Sequence, residues 1–184
     1  MVESRSDVQA LADTLRDRRL PPVNDWHPAH CGSIDIRIAR NGGWYHEGRP
    51  IHRKPLYRLF STVLRRDEDG EYYLVTPVEK LRIQVDDAPF QAVALEVQGS
   101  GPAQRLIFTT NCDDRFVCGA DHPLRVHIDA KTNQPSPYVL VRDRLEALIA
   151  RAVYYELVEL TQLRGDELGV WSGGSYFVLG SAAD

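Results

Sequence analysis

Chemistry in this chain could reside in its histidines, cysteines and paired charges. His27, His30 and Cys31 stand close together, and Cys112, Cys118 and His122 form a second group. Structural zinc sites draw ligands in pairs about two to four residues apart, and neither group supplies a Cys-x-x-Cys knuckle. The expectation is three reduced thiols and no metal. Cys31 beside His30 pairs a nucleophile type with a base type, but adjacent strand residues point to opposite faces, and a nucleophile needs its base within hydrogen-bond reach. No Gly-x-Ser-x-Gly elbow, P-loop or Gly-x-Gly-x-x-Gly after a strand is present, so acyl transfer, NTP hydrolysis and dinucleotide chemistry lack their usual parts. Asp35 and Glu79 could serve acid–base chemistry with a histidine. The competing reading is that they neutralise Arg37 and Arg82 across the wet face of a sheet. No catalytic residue and no cofactor are assigned.

Binding is better served than catalysis. Asp35 and Arg37 on one strand, with Lys80, Arg82 and Gln84 on another, would project together if a helix covered the opposite face. A charged face at the junction of two halves is a solvated ladder or a ligand groove, and pockets favour such junctions. Trp44, Glu79 and Asn111 complete the candidate lining. Arg53 and Arg142 each precede a predicted helix, where a cation opposes the helix dipole. Each then requires a carboxylate or a bound anion. The reading gives Arg53 a carboxylate and Arg142 the groove.

The elements that would position these residues follow from periodicity. Ser6 with Gln9 resembles a capping box, and Val8, Leu11, Ala12 and Leu15 make a short amphipathic stripe before Pro21-Pro22. Pro21 to Gly32 reads as an irregular connection crossing the first sheet. Ile34, Ile36 and Ile38 alternate with polar residues, and Asn41-Gly42-Gly43 turns the chain into Trp44-Tyr45-His46. Leu56, Leu59, Phe60, Val63 and Leu64 form a helical stripe behind Pro55, with Arg65-Arg66 at its end. Tyr72 to Val75 and Leu81 to Val85 return as strands. Downstream, Val93 to Val97, Leu106 to Thr110, Phe116 to Cys118 and Leu124 to Ile128 read as strands. The longest helix is placed from about Arg142 to Leu163, and Leu168 to Trp171 with Tyr176 to Leu179 form a last hairpin. Arg53-x-x-Leu-x-x-Leu echoes Arg142-x-x-Leu-x-x-Leu, Leu124 to Val126 echoes Ile36 to Ile38, and Gly174 to Leu179 echoes Gly70 to Val75. Together these suggest a duplicated strand–helix–strand unit.

With 184 residues, 43% of them hydrophobic, the chain can bury a core as one or two domains. A net charge of −4 argues against strong general nucleic-acid affinity. No secretory signal follows Met1, and no segment is long and apolar enough to span a bilayer, which places the chain in the cytoplasm with no membrane partner.

Consecutive strings then carry a resemblance. Cys31-Gly32-Ser33-Ile34-Asp35-Ile36-Arg37-Ile38, Gly48-Arg49-Pro50-Ile51, Leu59 to Arg66 and Leu74-Val75-Thr76-Pro77-Val78-Glu79-Lys80 resemble the bacterial domain of unknown function 1285 family. So do Asp87-Ala88-Pro89-Phe90, His122-Pro123-Leu124 and Arg151 to Leu157. The resemblance implies a duplicated α+β core, a second half loosely pleckstrin-homology-like, a ligand groove between the halves and a signalling role. The expected fold is therefore α+β, an N-terminal helix followed by two related strand–helix–strand halves with largely antiparallel sheets. The helix and connection take residues 1–30, the first half 31–88, and a barrel-like second half with one long helix 89–184. The expected function is non-enzymatic binding of a small anionic, nucleotide-like ligand. The alternatives are a hydrolase or transferase using Asp35, Glu79 and a histidine, and a protein-interaction module with an unknown partner.

Overall fold

The computed structural model of the chain describes residues 20–182. The helix expected over Ser6 to Leu15 lies outside the described residues. The chain forms two compact units. One takes the described residues up to Ala39 with Gly43–Asp86, and the other takes Arg40–Gly42 with the chain from Asp87 onward.

In the first unit, β1 (His30–Ile38), β2 (Trp44–His46), β3 (Arg49–Pro50), β4 (Leu64–Arg66), β5 (Tyr72–Val75) and β6 (Glu79–Val85) make one sheet in the order β3-β2-β1-β6-β5-β4. The central β1/β6 pair is parallel and the other pairs are antiparallel. The period-two pattern of β1 buries Ile36 and Ile38 and leaves Asp35 and Arg37 exposed. On the buried side, helix α1 (Lys54–Thr62) contributes Leu59, and its Phe60 ring stacks on Trp44 of β2 with centroids 6.2 Å apart. The helix stops at Thr62, earlier than the stripe suggests. Thr62 Oγ1 donates back to the Leu59 carbonyl at 2.7 Å, and Leu64 to Arg66 then pair with Tyr72 to Leu74. Arg65 is thus a strand residue, and its guanidinium donates to the carbonyls of Val23 (2.7 Å) and Trp26 (2.9 Å). The segment before β1 is fastened to β4 in this way.

The second unit has β7 (Phe90–Gln98), β8 (Arg105–Thr110), β9 (Arg115–Val117), β10 (Leu124–Ile128), β11 (Pro135–Arg142) and β12 (Leu145–Ile149), in the order β10-β11-β12-β7-β8-β9. Here too the central pair, β12 with β7, is parallel. Numbered from each unit's own first strand, both sheets read 3-2-1-6-5-4. The duplication is one of sheet topology. After β12 come helix α2 (Arg151–Glu159) and a separate antiparallel sheet of β13 (Gln162–Arg164), β14 (Glu167–Ser172) and β15 (Ser175–Ser181). Buried Ser172 links the two sheets by accepting from Leu106 N–H (2.9 Å) and donating to the Cys118 carbonyl (2.6 Å).

The α+β expectation is corrected. Strand makes up 49% of the described residues against 15% helix, so the fold is mostly β. Among the described residues the six-stranded sheet of the second unit is open, with β10 and β9 at its ends, and does not close into the expected pleckstrin-homology-like barrel. Where a long helix is expected from Arg142, β11 ends, a turn follows and Leu145–Ile149 form β12, so that only Arg151–Glu159 is α-helical. Leu145, Ala147, Leu148 and Ile149 are all buried, because β12 lies inside the sheet, and a short continuous apolar run of this kind fits a helical stripe equally well. Asp143, at φ +47°, supplies the tight turn between β11 and β12. The Arg53/Arg142 echo accordingly joins a helix N-cap to a strand end. The other two echoes pair strands that do not correspond in the shared topology, β10 with β1 and β15 with β5.

Candidate functional site

The charged face expected on the first sheet exists, but most of its cations are already engaged. Arg37 donates Nε to Asp86 Oδ1 at 2.9 Å and a second bond from Nη2 to Oδ2, a bidentate pair that holds the Asp86 carboxyl below its usual range. Lys80 donates to Asp67 at 2.9 Å and lies 4.3 Å from the centre of the Tyr73 ring. Burial pushes the Asp67 carboxyl up, but hydrogen bonds from Arg65 and Lys80 outweigh it and hold the group below the ordinary carboxylate range. Asp35, Arg82 and Gln84 do come together. They line a concavity of about 330 Å³ with Ser33, Ile34, Ile36, Glu71 and Ile83, where the β1/β6 register is interrupted between Ser33 and Arg37. Its charges are mixed, two acids against one arginine, and Arg82 stands 3.8 Å from Glu71. This is a poor receptor for an anion.

The remaining expected residues lie elsewhere. Trp44 is 2% exposed and belongs to the core, its Nε1 buried with no hydrogen-bond partner. Arg53 is the exposed N-cap residue of α1. Glu79 lies opposite His30, five positions along β1 from Asp35, so the two acids are separated by roughly 16 Å at strand rise and share no reacting centre. Asn111 is a clamp. Its Oδ1 accepts from Gln91 N–H at 3.0 Å and its Nδ2 donates to the Gly42 carbonyl at 3.0 Å, against a glycine with φ +80° whose added Cβ would sit 2.8 Å from that nitrogen. Arg142 pairs with Asp114 at 2.7 Å and lies 4.9 Å from the centre of the Phe90 ring, so its partner is a carboxylate, contrary to the expectation of a groove. Among the thiols, Cys31 is exposed, Cys112 and Cys118 are buried, and none of the three is in a disulfide. Burial pushes the Cys118 thiol up to about 12. His122 hydrogen-bonds the Leu140 carbonyl through Nδ1 and stacks on Phe116.

A larger concavity, of about 760 Å³, lies within the second unit. Its polar lining includes Arg40, Gln91, Gln134, Ser136, Arg151 and Tyr155, its apolar lining includes Leu148 and Ile149, and no carboxylate lines it. Arg40 Nη2 donates to Ser136 Oγ at 3.0 Å, which holds the arginine beside β11. Arg151 opens α2, and its Nε donates to the Tyr155 hydroxyl one turn on at 2.7 Å. Ala150 caps that helix without a side-chain hydrogen bond, and no acid occupies the first turn. The helix start thus presents positive potential to the opening. Size, apolar floor and convergent polar groups match a small-molecule pocket.

Sequence reasoning does not reach Arg40 and Arg151, because their neighbours come from β11, β12 and α2 and a helix from Arg142 puts Arg151 mid-helix. Its position behind the polar break Asp143-Arg144 and at the head of a first turn without acids is the available signal.

Residues 21–88 match the family model described as the N-terminal domain of DUF1285, a domain of unknown function, and residues 89–179 match the model of the C-terminal domain. The chain belongs to the DUF1285 family. A DUF1285 family protein from Silicibacter pomeroyi DSS-3 is similar to it in structure, with TM-score 0.86 and 46% identity, covering 94% of this chain and 96% of that one. Another, from Shewanella baltica OS155, has TM-score 0.53 and 27% identity, covering 69% and 92%. No curated protein matches. Among the described residues no group of three or more His, Cys, Asp or Glu could hold a metal ion, and no helix is long and apolar enough to cross a membrane.

Proposed function

We propose that the chain is a non-enzymatic ligand-binding protein whose second unit takes a small anionic ligand in the cavity between Arg40 and Arg151. The observation that carries this is a cavity of about 760 Å³ with two arginines and no carboxylate in its lining. Within that lining the hydrogen-bond partner of Arg151 is the Tyr155 hydroxyl and not an acid. The hydrolase alternative is disfavoured by the separation of Asp35 from Glu79. A signalling role would use this pocket as its sensor, and nucleotides belong in the first panel of ligands.

The test is thermal unfolding against a panel of organic carboxylates, phosphodiesters and nucleotides. A true ligand stabilises by RT ln(1 + [L]/Kd), about 2.7 kcal/mol at a hundredfold excess over Kd. Arg151→Gln should abolish the shift while altering the stability of the free protein by no more than about 0.5 kcal/mol, because the side chain is exposed. A shift that survives Arg151→Gln would place the ligand elsewhere.

A further inference from the structure

The net charge of this cavity is smaller than its two arginines suggest, and the difference limits what it can hold. Arg40 Nε lies 3.3 Å from Asp87 Oδ2, with the Asp87 side chain 17% exposed and that of Arg40 63% exposed. The carboxylate is therefore the fixed partner behind the wall, and the guanidinium is the group that reaches the opening. The other oxygen of Asp87 accepts from the Tyr138 hydroxyl at 2.8 Å, while Oδ2 is buried with no hydrogen bond of its own. Arg125 sits over the Tyr138 ring but is tied to Glu146 by two 2.7 Å bonds, so it adds no net charge. Arg151 differs. Its hydrogen-bond partner is a neutral phenol, no carboxylate is among the residues lining the cavity, and the start of α2, without a side-chain cap, adds potential of the same sign. One arginine is compensated and one is not.

We infer that the cavity selects a monoanion carried on an apolar or aromatic body, docked on Arg151, and that Asp87 sets this selection by cancelling the charge of Arg40. The inference rests on the proposed site. A dianionic phosphate monoester would bring its second charge toward Asp87, where no further cation meets it, and an unmatched charge in a partly dry site is costly. Leu148 and Ile149 receive the body of the ligand. Asp87 acts through Arg40 and is a positioning residue.

Three probes sharing a phenyl ring separate charge from shape. Benzoate and methyl phenyl phosphate are monoanions, whereas phenyl phosphate is largely dianionic at about pH 7.5, above its second pKa of about 6. Titration calorimetry on the full chain should show both monoanions binding at least about fivefold more tightly than phenyl phosphate. Asp87→Asn should raise phenyl phosphate affinity about tenfold relative to benzoate. Tyr138→Phe disturbs the same cluster without changing its charge, and should leave the ratio within about twofold. If Asp87→Asn does not fold, the wild-type ratio still decides. Phenyl phosphate binding as tightly as the monoanions would overturn the selection and leave the site standing. Failure of all three probes to bind would overturn the site and the selection together.

Discussion

Arg142 separates a structural cation from a binding one. Its Nη1 lies 2.7 Å from Asp114 Oδ1, with the two side chains 15% and 22% exposed. Asp114 is also tied to Thr110, its Oδ2 accepting from the Thr110 hydroxyl at 3.0 Å and its backbone N–H donating to Thr110 Oγ1 at 3.1 Å. Arg142→Gln leaves that carboxylate half-buried and opposite a neutral amide, and it also removes the cation over Phe90. Loss of one partner of a fully buried pair costs about 3–5 kcal/mol, and the residual exposure here reduces the expected loss to about 2–3 kcal/mol. Asp114→Asn keeps a polar acceptor and should cost about 1–2 kcal/mol. The double mutant should lose less than the sum of the two by at least about 1 kcal/mol. Urea unfolding of the four proteins gives all three quantities. A loss under about 0.5 kcal/mol for Arg142→Gln would refute the pairing and return Arg142 to the set of candidate ligand contacts. Ligand-dependent stabilisation should persist in Arg142→Gln, in contrast to Arg151→Gln.

Other consequences can be checked in the same way. Leu59→Ala removes the buried anchor of α1, 5% exposed, and should cost about 2–4 kcal/mol in a denaturant titration. Trp44→Phe deletes a buried N–H that has no acceptor while keeping a ring against Phe60, so its cost should stay within about 1 kcal/mol despite near-complete burial. The Asp67 carboxyl titrates below its unfolded value of about 3.9, so the stability it contributes is present above that pH and lost as pH falls through the lower folded value. Lys80→Met should therefore flatten the loss of stability below about pH 4, seen by circular dichroism, and an unchanged slope would show that the Asp67 contacts are not formed in solution.

The first sheet was largely legible because β1 has one wet face, so Ile36 and Ile38 alternate with Asp35 and Arg37. The same rule failed for β12. A strand covered on both faces loses its alternation, and Leu145 to Ile149 took on the spacing of a helix. A helix from Arg142 moves the start of α2 upstream and leaves Arg151 in mid-helix instead of at its first position. The pairing of Arg37 with Asp86 was equally hidden, since Asp86 follows β6 and period-two arithmetic does not locate residues beyond a strand end. Charged residue types pointed to a charged face, but only the positions of Asp67, Asp86 and Asp114 show which cations are neutralised.

The most direct measurement is a map of amide resonances in isotopically labelled protein titrated with benzoate. Binding in the second unit should shift Arg40, Gln91, Gln134, Ser136 and the stretch from Leu148 to Tyr155, with Arg151→Gln removing every shift. Shifts clustered instead at Ser33 to Ile36, Ile83 and Gln84, or shifts unaffected by Arg151→Gln, would contradict the assignment of the site.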